Sequence, residues 1–287
     1  MSDDVYSRLK SDIRLSRRSD RTGKQYLQQI RRFLAHFPGH YPADLAEADV
    51  RTYLHHLVDK RRVSPYTQKM ALAAIKFLFE KTLGRPDEVK RIPWPKITDP
   101  LPTVLAHADL IALFRAARTP LLLTAFISAY GSGLRVSEVA RLQVPDIDSD
   151  RGVLCVRGGK GGKDRLTVLP PRLLAALRRY WRDTQPKGPW IFPGSSVPGH
   201  ISRRHLHEGF RKAVHEAGIA RPGVRFHSLR HTFATHMLEA GVDVHVLHAL
   251  LGHARVDTTT RYAQVRTDHI ARLPDPLDLL ARTVQRG

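Results

Sequence analysis

At 287 residues the chain is longer than one typical domain, so two domains of unequal size are expected. A hydrophobic fraction of 42%, no apolar run near the ~20 residues of a membrane span, and a polar N-terminus without the apolar centre of a signal peptide point to a cytoplasmic protein. Its one cysteine, Cys155, excludes an intramolecular disulfide framework and a cysteine-built metal cluster, and the net charge of +20, spread over the first ninety residues and the remainder alike, points to a polyanion, by default nucleic acid, gripped along the whole molecule.

Residues 1–90 read as helices only. SDRTGKQYLQQIRRFLAHF carries Tyr26, Ile30, Phe33 and Leu34 at helical spacing with Arg31 and Arg32 facing away, and ADVRTYLHHLVDKRR repeats the pattern through Val50, Tyr53, Leu54 and Leu57. SPYTQKMALAAIKFLFEKTLG opens with Ser64 as N-cap and Pro65 at the first helical position, and closes at Gly84. A small basic helical bundle is predicted. Residues 91–104 form the linker, since four prolines in RIPWPKITDPLPTVL disfavour regular helix.

Residues 105–287 form the second domain. Helical segments AHADLIALFRAAR, PLLLTAFISAY and SEVARLQ precede GVLCVRGGKGGKDRLTVLP, where two apolar runs flank a glycine- and lysine-rich turn as in a hairpin. Cys155 sits in the first run and reads as a small core residue. Helices RLLAALRRYWRDT, RRHLHEGFRKAVHEAG, SLRHTFATHMLEAG and VHVLHALLG follow. The predicted class is mainly α with a small antiparallel sheet.

Taken singly, the residues that could carry chemistry have plain readings. Arg135 in YGSGLRVSE is a surface arginine after a tight turn, Lys160 in RGGKGGKDR a solvated hairpin lysine, His227 and Arg230 in HSLRH a charged first helical turn, His253 a C-cap after Gly252, and Tyr262 a half-buried packing residue. In this order, however, GLRVSE, the hairpin lysine, HSLRHTFATH, LLGH and TTxxY, with the tyrosine nine residues after the histidine, resemble the tyrosine recombinase (phage integrase-like) family over nearly the whole chain.

The resemblance implies a helical core-binding, SAM-like bundle followed by an α+β catalytic domain with a C-terminal docking segment. It implies that Arg135 and Arg230 are paired catalytic arginines, Lys160 a mobile general acid, His227 the histidine of His-x-x-Arg, His253 a second histidine, Tyr262 the nucleophile and Glu138 a supporting acidic residue. Such an enzyme cuts and rejoins double-stranded DNA at specific sites through a 3′-phosphotyrosine, four protomers acting on two sites, without cofactor or metal. One domain on each face of the duplex is the corresponding expectation for the architecture.

The chemistry suits these residue types. Attack on a phosphodiester concentrates negative charge on the non-bridging oxygens, and a planar, always charged guanidinium can contact two of them. A phenol of pKa about 10 needs a base and a positive site to lose its proton. Pairs such as His227 with His231 or His245 with His248 have ligand-like spacing, but no HExxH pattern and no cysteine pair accompanies them, so His231, His236, His245 and His248 read as packing or DNA-facing residues. A type IB topoisomerase-like nicking and closing enzyme fits the separate helical domain and short C-terminal extension less well. A DNA-binding protein without catalysis is disfavoured because all six matched positions are present.

Overall fold

The computed structural model describes residues 3–98, 102–158, 164–194, 199–252 and 273–278. The chain divides into two compact units, Met1–Pro100 and Leu101–Gly287. Among the described residues no helix is long and apolar enough to cross a membrane.

Among its described residues the first unit holds five α-helices: α1 (Asp3–Leu15), α2 (Asp20–Ala35), α3 (Glu47–His55), α4 (Pro65–Phe77) and the short α5 (Asp87–Lys90). Ser19 and Ser64 begin α2 and α4 by accepting hydrogen bonds from Thr22 N and Thr67 N, each 3.2 Å. Each of α3 and α4 continues into a single π-helical turn, His56–Lys60 and Leu78–Thr82, which keeps Leu57, Leu78 and Phe79 in the core. Tyr26, Ile30 and Phe33 of α2 and Val50, Tyr53 and Leu54 of α3 are buried, as their spacing predicts, and Leu34 packs partly buried against them. Arg31 and Arg32 are exposed. The polar N-terminus conceals a finding: Leu9 and Ile13 of α1 are also core residues, and a Cβ at Gly23 would lie 2.9 Å from Ile13, so α1 and α2 meet this closely only through a glycine.

In the second unit the helices are α6 (His107–Arg115), α7 (Pro120–Gly131), α8 (Val136–Ala140), α9 (Pro171–Thr184), α10 (Arg203–Glu216), α11 (Phe226–Glu239) and α12 (Val244–Leu251). Helix α7 is apolar nearly all round and runs through the core, with α9, α10 and α11 packed on it. Phe126 of α7 meets Phe210 of α10 and Phe226 of α11 at ring separations of 5.5 and 5.9 Å. The predicted hairpin is β2 (Val153–Val156) and β3 (Arg165–Val168), antiparallel with Val153 opposite Val168 and Val156 opposite Arg165. A two-residue strand β1 (Ile147–Asp148), too short to leave a sequence pattern, adds to the far edge of β2.

Cys155 departs from its expected place in the core. Its neighbours Val153, Leu154 and Val156 are buried, whereas Cys155 is half-buried and opens on a cavity shared with Leu142, Arg157 and Trp190. Burial and Asp146 push its thiol pKa up, which disfavours the reactive thiolate.

Residues 273–278 fold back onto their own unit. Leu277 is buried against Gly131, the Tyr130 hydroxyl donates to Pro276 O at 3.1 Å, and Arg172 pairs with Asp278. With the Tyr130 hydroxyl donating to Pro276 O, its 2.9 Å contact with His236 Nδ1 is made as acceptor when that ring nitrogen carries the proton. The rest of the predicted docking segment, from residue 279, lies outside the described residues.

Candidate active site

The turn after α7 sets the first pair of candidates. Gly133 has φ +61, and a Cβ there would lie 2.6 Å from the Phe233 ring and 3.0 Å from Leu251. Only glycine lets the chain pass this close to α11 and α12 in that conformation. Two residues on, Arg135 takes the N-cap position of α8 with extended backbone, and Glu138, one turn into the helix, accepts its backbone N–H at 2.8 Å. The carboxylate thereby satisfies an otherwise unpaired helix-terminal donor.

Glu138 is the hub of a charged cluster. Arg135 Nη1 donates to its Oε1 at 2.7 Å, and Arg165 grips both oxygens, Nη1 to Oε1 and Nη2 to Oε2, each at 2.8 Å. Arg230 Nη1 stands 3.8 Å from Oε2. Side-chain exposure rises from 3% at Glu138 and Arg230 through 8% at Arg165 to 21% at Arg135, so Arg135 is the most open to a ligand.

The same guanidiniums collect the last carbonyls of α12. Asp243 caps the start of this helix by accepting from His245 N and Val246 N, and Gly252 ends it in the left-handed region with φ 62. Leu250 O accepts from Arg165 Nε at 2.7 Å and Leu251 O from Arg230 Nη2 at 2.5 Å, while Arg135 Nη2 reaches Leu251 O and Gly252 O at 3.4 and 3.5 Å. Arg230 also donates from Nη1 to Gly133 O at 2.7 Å. Positive charge at a helix C-terminus is favourable, since the unpaired carbonyls there carry the negative end of the dipole.

Three guanidiniums against one carboxylate leave a positive surplus. Burial pushes the Glu138 carboxyl up, but the hydrogen bonds and charge of Arg165, and then the contacts from Arg135, outweigh it and hold the pKa at about 2. Arg230 is pulled down to about 9 by burial and the neighbouring Arg135, against the opposing pull of Glu138, and stays charged at neutral pH. His227, one turn before Arg230 on α11, is lowered to about 4, first by desolvation of its inner side and then by His231, Arg230, Arg135 and Arg225. Its outer side remains in water, which screens those charges, and the imidazole is neutral at pH 7. The His231 ring lies 4.5 Å from it, edge to face.

Arg135, Glu138, His227 and Arg230 thus come together from two segments about ninety residues apart. Lys160, His253 and Tyr262 lie outside the described residues. Arg165 is a member that sequence reasoning missed. Its one signal is alternation: on β3 it shares a face with Thr167, whose hydroxyl donates to Ser132 O at 2.9 Å, so a charged residue points inward from a strand. His236 is buried with Tyr130 and His107, away from this cluster. Among the described residues no three His, Cys, Asp or Glu side chains converge as a metal ion needs.

Two family models match the chain: Phage integrase family over residues 103–269, and Phage integrase, N-terminal SAM-like domain, over residues 5–88. The tyrosine recombinase XerD of Caulobacter vibrioides is 36% identical, with 86% of each chain covered. An integrase/recombinase of Escherichia coli is 32% identical over 96% of this chain and 94% of its own length. The fold is similar to that of lambda integrase in a tetramer bound to a Holliday junction, with a TM-score of 0.72 at 20% identity, covering 93% of this chain and 77% of that one.

Proposed function

The chain belongs to the phage integrase family, a set of tyrosine-type site-specific recombinases, and from that premise we propose that it cuts and rejoins double-stranded DNA through a 3′-phosphotyrosine on Tyr262. The observation that carries this reading is the convergence of Arg135 and Arg230 beside one buried glutamate, with a positive surplus for an anion to neutralise. Four copies act on two DNA sites, a reading supported by the lambda integrase tetramer on a junction.

In the proposed step the Tyr262 oxygen attacks the scissile phosphorus while the bond from phosphorus to the 5′-oxygen breaks. Arg135 and Arg230 take the charge that builds on the non-bridging oxygens; losing either costs roughly 10²–10³ in rate, by analogy with oxyanion-stabilising donors. His227, neutral at pH 7, accepts the phenolic proton. A bound phosphodiester offsets the surrounding positive charges and raises the basicity of His227 at the moment it is needed. Lys160 protonates the leaving 5′-oxygen and His253 donates to the phosphate. One phosphoester replaces another, so no external energy source enters. A 5′-hydroxyl from a second strand reverses the step, with base and acid exchanging roles.

Covalent capture tests this. Wild-type protein and Tyr262→Phe are incubated with end-labelled fragments of host DNA in EDTA, denatured, and probed for protein-linked DNA. An adduct on a discrete fragment, lost in Tyr262→Phe, is the expected result. An adduct that persists in Tyr262→Phe, or tight binding of a fragment with no adduct, rejects the assignment.

A further inference from the structure

We infer that Arg165 is a positioning residue of the proposed reaction, a fork that fixes the hairpin root, Glu138 and the end of α12 relative to one another. The inference rests on the reading of Tyr262, Lys160 and His253 given above.

Each nitrogen of this guanidinium is already engaged, through three of its five N–H groups. Nη1 and Nη2 meet the two Glu138 oxygens at 2.8 Å, and Nε meets Leu250 O at 2.7 Å. With the side chain 8% exposed, it does not present these donors to a ligand. Arg165 therefore acts through other residues rather than on the phosphate.

The groups it joins belong to three segments, each with a candidate residue. Arg165 begins β3, five residues after Lys160 in the sequence. Glu138 holds Arg135 by a 2.7 Å bond. Leu250 lies three residues before His253 in the sequence, and a Cβ on Gly252 would come within 2.7 Å of Arg165 Cδ, so the aliphatic stem packs against the glycine that ends α12.

The fork also assigns charge. It engages both Glu138 oxygens, whereas the Arg135 guanidinium contacts one and Arg230 stands 3.8 Å off. Without Arg165, the Glu138 carboxylate draws more heavily on Arg135 and Arg230, weakening the positive field meant for phosphate. Lysine keeps the charge but cannot span two carboxylate oxygens and a carbonyl with a rigid plane.

The test compares Arg165→Lys and Arg165→Met with wild type on the DNA fragment captured by covalent trapping. Non-covalent affinity is measured in the Tyr262→Phe background, and the rate of adduct formation at saturating DNA in the active background. A misplacement of order 1 Å predicts about a 10²-fold loss of rate in Arg165→Met with affinity nearly unchanged, and partial recovery in Arg165→Lys. Part of the loss should return on a substrate with sulfur in place of the bridging 5′-oxygen, a leaving group that needs no acid. An unchanged rate overturns the inference, as does parallel loss of rate, affinity and thermal transition in both variants. If Arg165→Met does not fold, Arg165→Lys decides alone. If wild type forms no adduct, the reading of Tyr262 has failed, and amide exchange on the free protein decides the positioning claim: deprotection confined to the last turn of α12 in Arg165→Lys supports it, and unchanged protection overturns it.

Discussion

Glu138 is nearly inaccessible and carries a negative charge that three arginines answer. Removing that charge leaves buried guanidiniums without a counter-ion, so Glu138→Gln should lower stability by about 3–5 kcal/mol, read from urea unfolding at pH 7. The acid limb follows from the same residue. Its folded pKa of about 2 lies below the ordinary 4.5, so its contribution is complete above pH 4.5 and lost as pH falls toward 2, about 3 kcal/mol in all. His227 acts in the same direction earlier, since it is charged in the unfolded chain below 6.5 but resists protonation in the fold until about 4. Urea midpoints for wild type should fall from pH 6.5 downward, and Glu138→Gln should lack the portion below 4.5; parallel curves would exclude Glu138 as the source. At this scale the sequence was partly legible. GLRVSE and HSLRH are local patterns whose residues meet as their spacing suggests, whereas Arg165 gains its meaning from Glu138 and Leu250, 27 and 85 positions away.

Elements with long periodic faces are legible in the sequence, as are the short α8 and the β2–β3 hairpin through their flanking glycine turns, whereas α1 and β1 are not. Helices α2, α4, α9 and α10 announce themselves by apolar spacing and serine or proline at their starts. Helix α1 hides because only Leu9 and Ile13 of a polar segment are needed to reach the core, and β1 because two residues have no period. The π-helical turns after α3 and α4 come from tertiary packing that no window of sequence displays. The return of residues 273–278 onto α7 is another such contact, and it is testable through its buried hydroxyl. Tyr130→Phe removes the donor to Pro276 and the partner of His236, which should cost about 1–3 kcal/mol and raise amide exchange at Leu277 and Asp278. Unaltered exchange there would mean that Leu277 packing and the Arg172–Asp278 pair hold the segment without Tyr130.

For the whole molecule, the excess of 47 basic over 27 acidic residues is the plainest sign of a polyanion partner. Binding that neutralises six to ten phosphates predicts an affinity for duplex DNA that falls by about 10³–10⁵ between 50 and 200 mM salt. A titration with a salt slope near zero would separate the charge from the function proposed.

The end of α12 has a consequence for the free protein. Main-chain oxygens of Leu251 and Gly252 sit 3.4 and 3.5 Å from Arg135, long contacts beside the 2.5–2.8 Å bonds that hold Arg165 and Arg230. They leave the most open guanidinium the most weakly held of the three at this helix end, and under the proposed function they are the contacts a phosphate oxygen would compete with. In the proposed reaction, a phosphodiester reaching Arg135 would thus replace two main-chain oxygens while the 2.7 Å bond to Glu138 stays in place.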